Sequence, residues 1–405
     1  MKILFLCHHF PYPPDHGARI RAFHFIRHLA ENNSVTVATL AHTERELSQG
    51  FGLKEFCREV IGEVLPCRNR WLQAIKALCS STPSSVAYFY SAALQARVRQ
   101  KLRDEAFDAI IVFCAFMAQY VLEWKSGYRI LDYGDIDSAK WRDYGRYKPV
   151  PLSWGYRWEA AKLRKYEGEI ARHFHQCSVV SPGELDEFNG LGTRTPCTIL
   201  PNGVDTDYFC YNREKRAGTP TIVFVGRMDY FPNVDGITYF VREVLPLIRQ
   251  QVPNVKLRIV GSNPVKSVRR LTRMPNVSVT GYVPDVRSHL RDAAVAIAPL
   301  RIARGTQNKI LEALAMGIPT VATPEAAEGV QCVRGTHLVV AGCPRTFADK
   351  AIELIENVNL RKKLAASGRL QIEQVHTWDR SVKVLDSILS GISTEMLSFH
   401  EAVGS

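Results

Sequence analysis

Short runs of apolar residues recur along the chain and are separated by segments with helical periodicity. The runs are mostly continuous rather than alternating, so they predict parallel strands that helices cover on both faces. They fall into two rounds. In chain order the predicted strands are 3–7, 34–40, 61–65, 109–113, 129–133 and 177–181, then 221–225, 257–261, 277–281, 295–299, 319–323 and 337–340.

Two rounds of strands and helices predict two doubly wound α/β domains. A chain of 405 residues is also too long for one typical core. We place the boundary at ILPNGVDTDYF, where Pro201, Asn202 and Gly203 break the pattern before a polar linker at 212–220. The predicted Rossmann-like domains therefore comprise residues 1–200 and residues 201–375.

The charge balance limits the partners. The 52 Lys and Arg residues exceed the 40 Asp and Glu residues, which gives a net charge of +12 and suits nucleotide phosphates, lipid diphosphates, acidic membranes or nucleic acid. We expect no nucleic-acid partner because no nucleic-acid-binding motif is present. Ten scattered cysteines without a C-x-x-C pair, and a first apolar run too short for a secretory signal, indicate a cytoplasmic protein.

A polar loop and a helix start follow the predicted strand at 295–299. Unpaired N–H groups at a helix N-terminus attract an anion such as a diphosphate. Lys309 adds a mobile positive charge, and Glu312 lies about one turn further along, where its carboxylate can accept hydrogen bonds from two ribose hydroxyls. The alternative is a capped helix packed on a sheet. The loop residues are Gly305, Thr306, Gln307 and Asn308.

Each predicted domain also has a glycine-bearing turn after its first strand, where a parallel sheet directs helix dipoles at a phosphate. Gly17 stands beside the start of the first helix, and Gly226 and Arg227 directly follow the strand at 221–225. Arg227 would be a fixed cation for a phosphate leaving group. Its alternative is a surface arginine in a salt bridge. Neither turn matches G-x-G-x-x-G, which disfavours a dinucleotide coenzyme.

Polar residues also follow strands of the first domain. His8 and His9 end the first strand, where one could orient a bound substrate, and a hydrogen-bonded structural role is the alternative. Asp135 and Asp137 imitate a D-x-D metal site. We expect no metal, because two isolated carboxylates are few ligands for Mg²⁺. Contact with a substrate or helix capping by Asp135 is the interpretation that we favour.

Several motifs together resemble the family-4 (group 1) glycosyltransferases of the GT-B fold, and the resemblance covers nearly the whole chain. They are the interdomain PNGVD, the strand-end VGR, NVSVTGYVPDVRSHLRDAAVAIAP, LEALAMGIPTVAT and a late Trp378 before a closing helix. LEALAMGIPTVAT is the most specific of them. The arrangement also resembles the exopolysaccharide sugar transferases that accompany exosortase systems.

The resemblance implies two Rossmann-like domains that face each other across a cleft. A closing helix and tail, residues 376–405, would pack back on the first domain. It further implies a retaining transfer from a nucleotide sugar, UDP- or GDP-linked, held mainly by the C-terminal domain. The acceptor would be held by the N-terminal domain. The nucleotide sugar is a substrate, and no cofactor is expected.

The same resemblance assigns roles to individual residues. Arg227 and Lys309 would neutralise the departing diphosphate, and Glu312 would bind the ribose. Gly17 would let the backbone approach the phosphate or the sugar. The residues that would border the base are Tyr282 and Val283.

Two departures from the family pattern affect the expected site. Arg304 occupies the place of a second glutamate that usually contacts the donor sugar, and the lysine that tends to follow the VGR arginine is missing from MDYFPNVDG. Arg304 cannot accept hydrogen bonds, so the sugar pocket must differ. Three hypotheses follow: Arg304 selects an acidic sugar by a bidentate contact, Arg304 and Lys309 supply the missing phosphate charge, or the protein is a pseudoenzyme.

The segment 141–174 is dense in aromatic and cationic residues. Trp154, Tyr156 and Trp158 stand beside several cations, a composition that suits the headgroup layer of an anionic membrane. The alternative is a solvated helix with an aromatic packing face. The cations are Arg157, Lys162, Arg164 and Lys165.

The sequence thus predicts a metal-independent sugar transferase of bacterial polysaccharide or glycolipid assembly, cytoplasmic and peripheral to the inner face of the membrane. Its acceptor would be a glycan or a lipid-linked molecule. One rival is a nucleotide-sugar 2-epimerase on the same fold, which needs acid and base residues that the sequence does not identify. The other is a nucleotide-sugar-binding regulator, which Arg304 favours.

Overall fold

The computed structural model describes residues 1–14, 17–210 and 220–403, and for residues 392–403 it describes the backbone alone. The chain forms two compact units, Met1–Pro201 with Ser381–Ser405 and Asn202–Arg380. Most of the linker predicted at 212–220 lies outside the described residues. No helix in the described ranges combines the length and apolar character that a bilayer span requires.

The first unit contains a seven-stranded parallel sheet. Its strands are β1 Lys2–Cys7, β2 Ser34–Ala41, β3 Glu59–Val64, β4 Ala109–Phe113, β5 Tyr128–Gly134, β6 Gln176–Val179 and β7 Cys197–Ile199. Its α-helices are α1 Gly17–Asn32, α2 Glu44–Gly50, α3 Cys67–Ala77, α4 Ser84–Tyr88, α5 Ala92–Asp104, α6 Asp137–Arg146, α7 Leu152–Ala171 and α8 Pro182–Asn189. The predicted strands are present, and β7 was not predicted.

The second unit contains a six-stranded parallel sheet. Its strands are β8 Thr221–Val225, β9 Lys256–Val260, β10 Val277–Val279, β11 Val295–Ala298, β12 Thr320–Ala322 and β13 Val339–Val340. Its α-helices are α9 Phe231–Tyr239, α10 Leu245–Gln251, α11 Lys266–Arg269, α12 Arg287–Arg291, α13 Asn308–Ala315, α14 Pro324–Glu328, α15 Pro344–Glu356 and α16 Val358–Val375. The last helix, α17 Trp378–Val403, begins in this unit, and its residues from Ser381 onward group with the first unit.

Short helices of other types complete both units. Residues Ala115–Tyr120 form a 3₁₀-helix after β4. The remaining short helices are 3₁₀-helices at Phe51–Glu55 and Arg270–Arg273 and a π-helical turn at Phe240–Val244.

Both sheets are wound in the same way. The strand order is β3-β2-β1-β4-β5-β6-β7 in the first unit and β10-β9-β8-β11-β12-β13 in the second. In each sheet, consecutive strands are added on one side of the first strand and later strands on its other side. The strand order therefore reverses between β1 and β4 in the first sheet and between β8 and β11 in the second. Ligands of open parallel sheets bind beyond the carboxyl ends of the strands at such a switch point. The two-domain Rossmann-like fold class predicted from the sequence is confirmed.

The strands are buried because helices cover both faces of each sheet. All five residues of β4 are buried, and Phe5 of β1 is aligned with Val37 on one side and Ile111 on the other. In the second unit Ile222 and Phe224 of β8 belong to the main apolar cluster, which also includes Ile310, Leu311 and Leu314 of α13. This packing holds the start of α13 near the carboxyl edge of the sheet.

Candidate functional site

The loops that follow β8 and β11 are joined by a buried asparagine. Asn233 donates from Nδ2 to the backbone carbonyl of Arg227 over 2.9 Å, and its Oδ1 accepts from Nζ of Lys309 over 2.9 Å. Gly226 leaves room for this side chain, since a β-carbon at Gly226 would lie 2.7 Å from Asn233 Nδ2. Sequence analysis did not identify Asn233, which connects two of the predicted site residues.

The loop before α13 presents free amides. Among the residues that the structure describes, the N–H groups of 305–309 have no hydrogen-bond acceptor, and Gln307 caps α13 without a side-chain bond. The hydroxyl oxygen of Thr306 is buried and also has no partner in the described chain. Donors arranged this way at a helix start can bind an anion. The alternative of a fully capped helix is therefore not what the structure has.

Two glycines set the path of this loop. Gly305 has a φ of 58°, a left-handed conformation that favours glycine. Its carbonyl oxygen packs against Gly329, where an added β-carbon would lie only 1.8 Å from that oxygen. The loop thus depends on a backbone-to-backbone contact that only glycine permits.

Lys309 and Glu312 carry opposite charges on the first turns of α13. Burial lowers the pKa of Lys309 to about 8, although the nearby Glu312 carboxylate acts in the opposite direction. Burial raises the pKa of Glu312 to about 7, and attraction to Lys309 reduces this rise. The Glu312 carboxylate accepts no hydrogen bond from any described residue, so it keeps its acceptor positions for a ligand.

Lys309 is held on its other sides. Its ammonium group lies 5.6 Å from the centre of the Phe224 ring and 3.4 Å from Oε1 of Gln307. The contacts with Asn233, Gln307 and the ring direct the cation toward the loop that follows β8.

Arg227 lies where the sequence predicted, directly after β8, and its side chain is about half-exposed. It forms a bidentate ion pair with Asp229, with distances of 3.1 and 2.8 Å from Nε and Nη2 to the two carboxylate oxygens. This is the surface salt bridge that the sequence left as the alternative. The pair is exposed, so its net stabilisation is about 0–1 kcal/mol and the side chain can turn to another anion at little cost.

Arg304 stands in the same loop. Its backbone carbonyl accepts from Nε2 of Gln307 over 2.9 Å. The neighbouring Arg301 is fixed in a different role, because it pairs with Asp235 at 2.6 Å and lies over the Tyr239 ring. Arg304 itself holds the position where the family pattern has its second glutamate, and its contact with the substrate remains a prediction.

Tyr282 and Val283 follow β10, two strands away from β8. Tyr282 is 73% exposed, and the preceding Gly281 has a left-handed φ of 73°. An exposed aromatic ring on such a loop is available to stack on a planar ligand. The predicted contact with the base remains a prediction.

The first unit holds a second group of polar residues at the carboxyl edge of its sheet. The buried His8 has Nε2 at 3.9 Å from Sγ of Cys114, and Nδ1 of His9 lies 3.3 Å from Nε2 of His42. Gly17 is the exposed first residue of α1, while the two residues before it are outside the described ranges. His8 and His9 directly follow β1, at the switch point between β1 and β4, whereas His42 follows β2.

One prediction for this unit is wrong. Asp135 does not cap α6, because the residue that precedes the helix is Ile136 and no side chain caps it. Asp137 is instead the first residue of α6, and burial raises its pKa. Acceptor contact by Asp135 remains a prediction.

Comparison with known proteins identifies the second unit. Residues 219–357 match the family model described as "Glycosyl transferases group 1". This stretch includes β8 to β13 and the loops that carry Arg227, Arg304, Lys309 and Glu312. The chain thus contains a glycosyl transferases group 1 domain, and the resemblance seen in the sequence is confirmed.

One curated relative is described as an uncharacterized 44.6 kDa protein in the cps region of Klebsiella pneumoniae. It is 23% identical over 175 residues, which cover 41% of this chain and 44% of that protein. The chain therefore matches less than half of that relative's length.

Solved structures resemble the whole chain. Sucrose-phosphate synthase from Thermosynechococcus elongatus has a TM-score of 0.73 at 15% identity, with 98% of this chain and 100% of that chain covered. HepE from Anabaena, in complex with UDP and glucose, has a TM-score of 0.70 at 14% identity, with 96% and 100% covered. At these identities the likeness shows the fold alone, and this fold is the GT-B class, with two Rossmann-like domains, that the sequence predicted.

Proposed function

We propose that the protein is a retaining glycosyltransferase that moves a sugar from a nucleoside-diphosphate sugar to a glycan or a lipid-linked acceptor. The observation that carries this proposal is the start of α13, where free amides of residues 305–309, the Lys309 cation and the unpartnered Glu312 carboxylate lie together. Amides and a cation fit a diphosphate, and a carboxylate one turn away fits the ribose hydroxyls.

The charges act on the leaving group. When the bond between the anomeric carbon and the diphosphate oxygen breaks, negative charge develops on that oxygen and the sugar becomes oxocarbenium-like. Fixed donors placed where this charge develops lower the barrier. Lys309, the amides of 305–309 and Arg227, once turned away from Asp229, are the donors for this step. They supply the positive charge that a metal ion supplies in other transferases, so we propose a metal-independent reaction.

The donor is expected to be UDP- or GDP-linked. HepE is described in complex with UDP-glucose, and a TarM variant from S. aureus is described with UDP, which supports a nucleotide-sugar donor for the shared fold. Tyr282 and Val283 are the proposed contacts with the base. Gly17, His8, His9 and Asp135 of the first unit are the proposed contacts on the sugar and acceptor side.

Arg304 is proposed to define the sugar. A guanidinium group binds a carboxylate in a bidentate manner, so Arg304 suits an acidic sugar such as a hexuronate. Replacing Arg304 by Ala should lower turnover of an acidic donor much more than turnover of its neutral counterpart. If both fall equally, Arg304 supplies phosphate charge instead.

A relative from a capsule (cps) region supports a role in bacterial exopolysaccharide or glycolipid assembly. We propose that the acceptor of such a pathway is a component of the bacterial membrane. We also propose that the protein works in the cytoplasm, at the inner face of the membrane.

A panel assay tests the proposed activity. The protein is incubated with UDP- and GDP-sugars, with and without membrane extract, and nucleoside diphosphate and sugar isomers are measured. Release of nucleoside diphosphate that requires acceptor supports transfer. A new sugar isomer formed without acceptor indicates a 2-epimerase, and binding without turnover indicates a regulator.

Single substitutions then test the charge-supply role. Lys309→Ala and Arg304→Ala remove one cation each from the loop, and Lys363→Ala removes an exposed cation of α16 as the matched control. We expect a loss of turnover of about tenfold or more for Lys309→Ala, because a charged hydrogen bond contributes about 1.5–3 kcal/mol. Unchanged turnover in both loop variants would end the charge-supply hypothesis.

A further inference from the structure

Helix α3 has the reverse of the usual amphipathic arrangement. Its buried side consists of Arg70, Ala74 and Ala77, whereas large apolar side chains point outward. Trp71 and Ile75 are each 58% exposed. A surface helix normally buries its apolar stripe, so an exposed one marks a surface for a partner. The exposed apolar residues on or just after α3 are Trp71, Leu72, Ile75 and Leu78.

The start of α7 has a similar character. Leu152, Trp154 and Trp158 are exposed, with Trp154 at 64% and Trp158 at 61%. Tyr156 instead packs inward, with its ring centre 5.1 Å from that of Trp141. The aromatic-rich segment 141–174 therefore divides into a packing side and an exposed side.

A buried lysine joins the two helices. Lys162 of α7 donates to the carbonyls of Ala77 and Thr82, over 3.0 and 3.1 Å, so it is not one of the membrane-facing cations that the sequence suggested. Trp154, Trp158 and Lys162 recur every four residues and therefore lie along one side of α7. Trp158 is thus one turn from the contact with the end of α3.

The two exposed groups lie on helices that the Lys162 hydrogen bonds join, and we treat them together as one apolar face. We use this name for the seven residues Trp71, Leu72, Ile75, Leu78, Leu152, Trp154 and Trp158. All of them are exposed side chains of the first unit.

The two chain segments that contain the apolar face have no acidic residues. Residues 64–103 contain no Asp or Glu, and neither do residues 144–158. At the average frequency of acidic residues in this chain, 55 residues would include about five. Arg68, Lys76 and Arg157 are exposed there and form no ion pair with any described residue.

This combination selects one kind of partner. A second copy of the chain would bring the same unpaired cations opposite each other across a twofold interface, which is unfavourable. Nucleic acid does not fit the aliphatic side chains of Leu72, Ile75 and Leu78. An anionic lipid surface fits both the cations and the apolar side chains. Trp rings occupy the headgroup layer, aliphatic side chains reach the acyl boundary and cations bind the phosphates.

We propose that the apolar face, with its rim of Arg68, Lys76 and Arg157, docks the first unit on an anionic lipid bilayer. This inference limits the membrane contact of segment 141–174 to the exposed side at the start of α7 and adds the exposed side of α3, which lies outside that segment. It stands on the first unit alone and does not require that the sugar transfer proposed above be correct.

Vesicle co-sedimentation tests the docking. We expect the protein to bind vesicles of phosphatidylcholine mixed with phosphatidylglycerol, to bind pure phosphatidylcholine at least tenfold more weakly, and to be released by salt. Each cation near an anionic surface contributes roughly a fivefold gain in binding, so Arg68→Gln with Lys76→Gln and Arg157→Gln should weaken binding about a hundredfold. Trp154→Ser with Trp158→Ser should weaken it at least about tenfold.

Matched variants on the second unit serve as controls. Leu370→Ser removes an exposed apolar residue, and Lys362→Gln with Lys363→Gln removes two exposed cations, all on α16. These variants should bind the mixed vesicles as the original protein does. Thermal unfolding of every variant checks that the fold is retained.

Three results would overturn the proposal. They are equal binding to both vesicle types, full binding by the two test variants, and a change of oligomeric state on Trp154→Ser and Trp158→Ser with no change in vesicle binding. The last would make the face a protein interface. Nucleotide binding, measured by calorimetry without vesicles, is independent of these outcomes, so a failure of docking is distinguishable from a failure of the transferase proposal.

Discussion

Replacing Glu312 by Gln should make the protein more stable and at the same time weaken nucleotide binding. The Glu312 carboxylate is largely desolvated and has no hydrogen-bond donor among the described residues, and this burial raises its pKa from 4.5 to about 7. One pKa unit corresponds to about 1.4 kcal/mol, so ionised Glu312 costs the folded state about 3 kcal/mol. Gln removes that cost but leaves Lys309 without an opposite charge, which limits the expected gain to about 1–3 kcal/mol.

The gain should depend on pH. Between about pH 4.5 and pH 7 folded Glu312 keeps a proton that the unfolded chain has lost, so the stability of the original protein falls as the pH rises through this range. The Gln variant lacks that fall. Its advantage should be near zero at pH 4.5 and greatest above pH 7. The free energy of unfolding, measured with urea at pH 5 and pH 8, checks this, and Glu356→Gln, an exposed residue at the end of α15, is the control.

Binding should change in the opposite sense. Charged hydrogen bonds to the ribose contribute about 1.5–3 kcal/mol, so calorimetry should show affinity for UDP or GDP reduced about tenfold to a hundredfold. Inorganic pyrophosphate, which has no ribose, should bind the variant as well as it binds the original protein. If Glu312→Gln lowers stability at pH 8, or leaves nucleotide affinity unchanged, Glu312 is a structural residue and the ribose assignment is wrong.

Three further predictions concern the same site. Nucleoside diphosphate affinity should be greatest between about pH 7 and pH 8, where Glu312 is ionised and Lys309 is still protonated, and a flat calorimetric profile from pH 6 to pH 9 would contradict this. Asp229→Asn should free Arg227 and raise that affinity by a factor of about 1.4 to 5, because an exposed ion pair contributes about 0.2–1 kcal/mol. Asp349→Asn, which breaks the exposed pair with Arg345, should leave the affinity unchanged. Gly329→Ala should displace the carbonyl of Gly305 and weaken nucleotide binding at least about tenfold. Gly342→Ala should leave nucleotide binding unchanged, because the atom nearest to the added β-carbon lies 3.7 Å away. Equal affinities in the two glycine variants would show that the loop does not depend on the contact between Gly305 and Gly329.

The sequence predicted the strands because buried parallel strands have a simple signature. The strand predicted at AIIVF, residues 109–113, has the same first and last residues as β4, because every residue of the run is apolar. Strand β7, Cys197–Ile199, was missed because three partly buried residues give too short a pattern. The order of the strands in each sheet is a property of the fold and is not visible in the spacing.

The site was predicted in part, for similar reasons. The amides of 305–309 and the charges at 309 and 312 follow from local helix geometry, which a sequence records. The bridge made by Asn233 joins residues six and 76 positions away, so no local pattern indicates it. The capping role of Asp135 was wrong because the helix starts one residue later than that role requires. Trp154 and Tyr156 are two residues apart on α7, which places them on different sides of the helix.

The same distinction applies to Arg227. Its place after β8 follows from the position of a strand end, which the sequence predicts well. Its ion pair with Asp229, two residues later, depends on the turn that the chain makes there. An acidic residue two positions after an arginine indicates that the guanidinium group has a local ion-pair partner. An anionic ligand would compete with Asp229 for Arg227.

Hydrogen exchange at the loop before α13 tests the central claim most directly. The amides of residues 305–309 have no acceptor within the described chain, so they should exchange rapidly in the free protein. Saturating UDP or GDP should slow exchange in the peptide that contains them, and the corresponding nucleoside without phosphates should not. A bound nucleoside diphosphate that leaves the exchange of this peptide unchanged would contradict the account, because the diphosphate would then be held elsewhere.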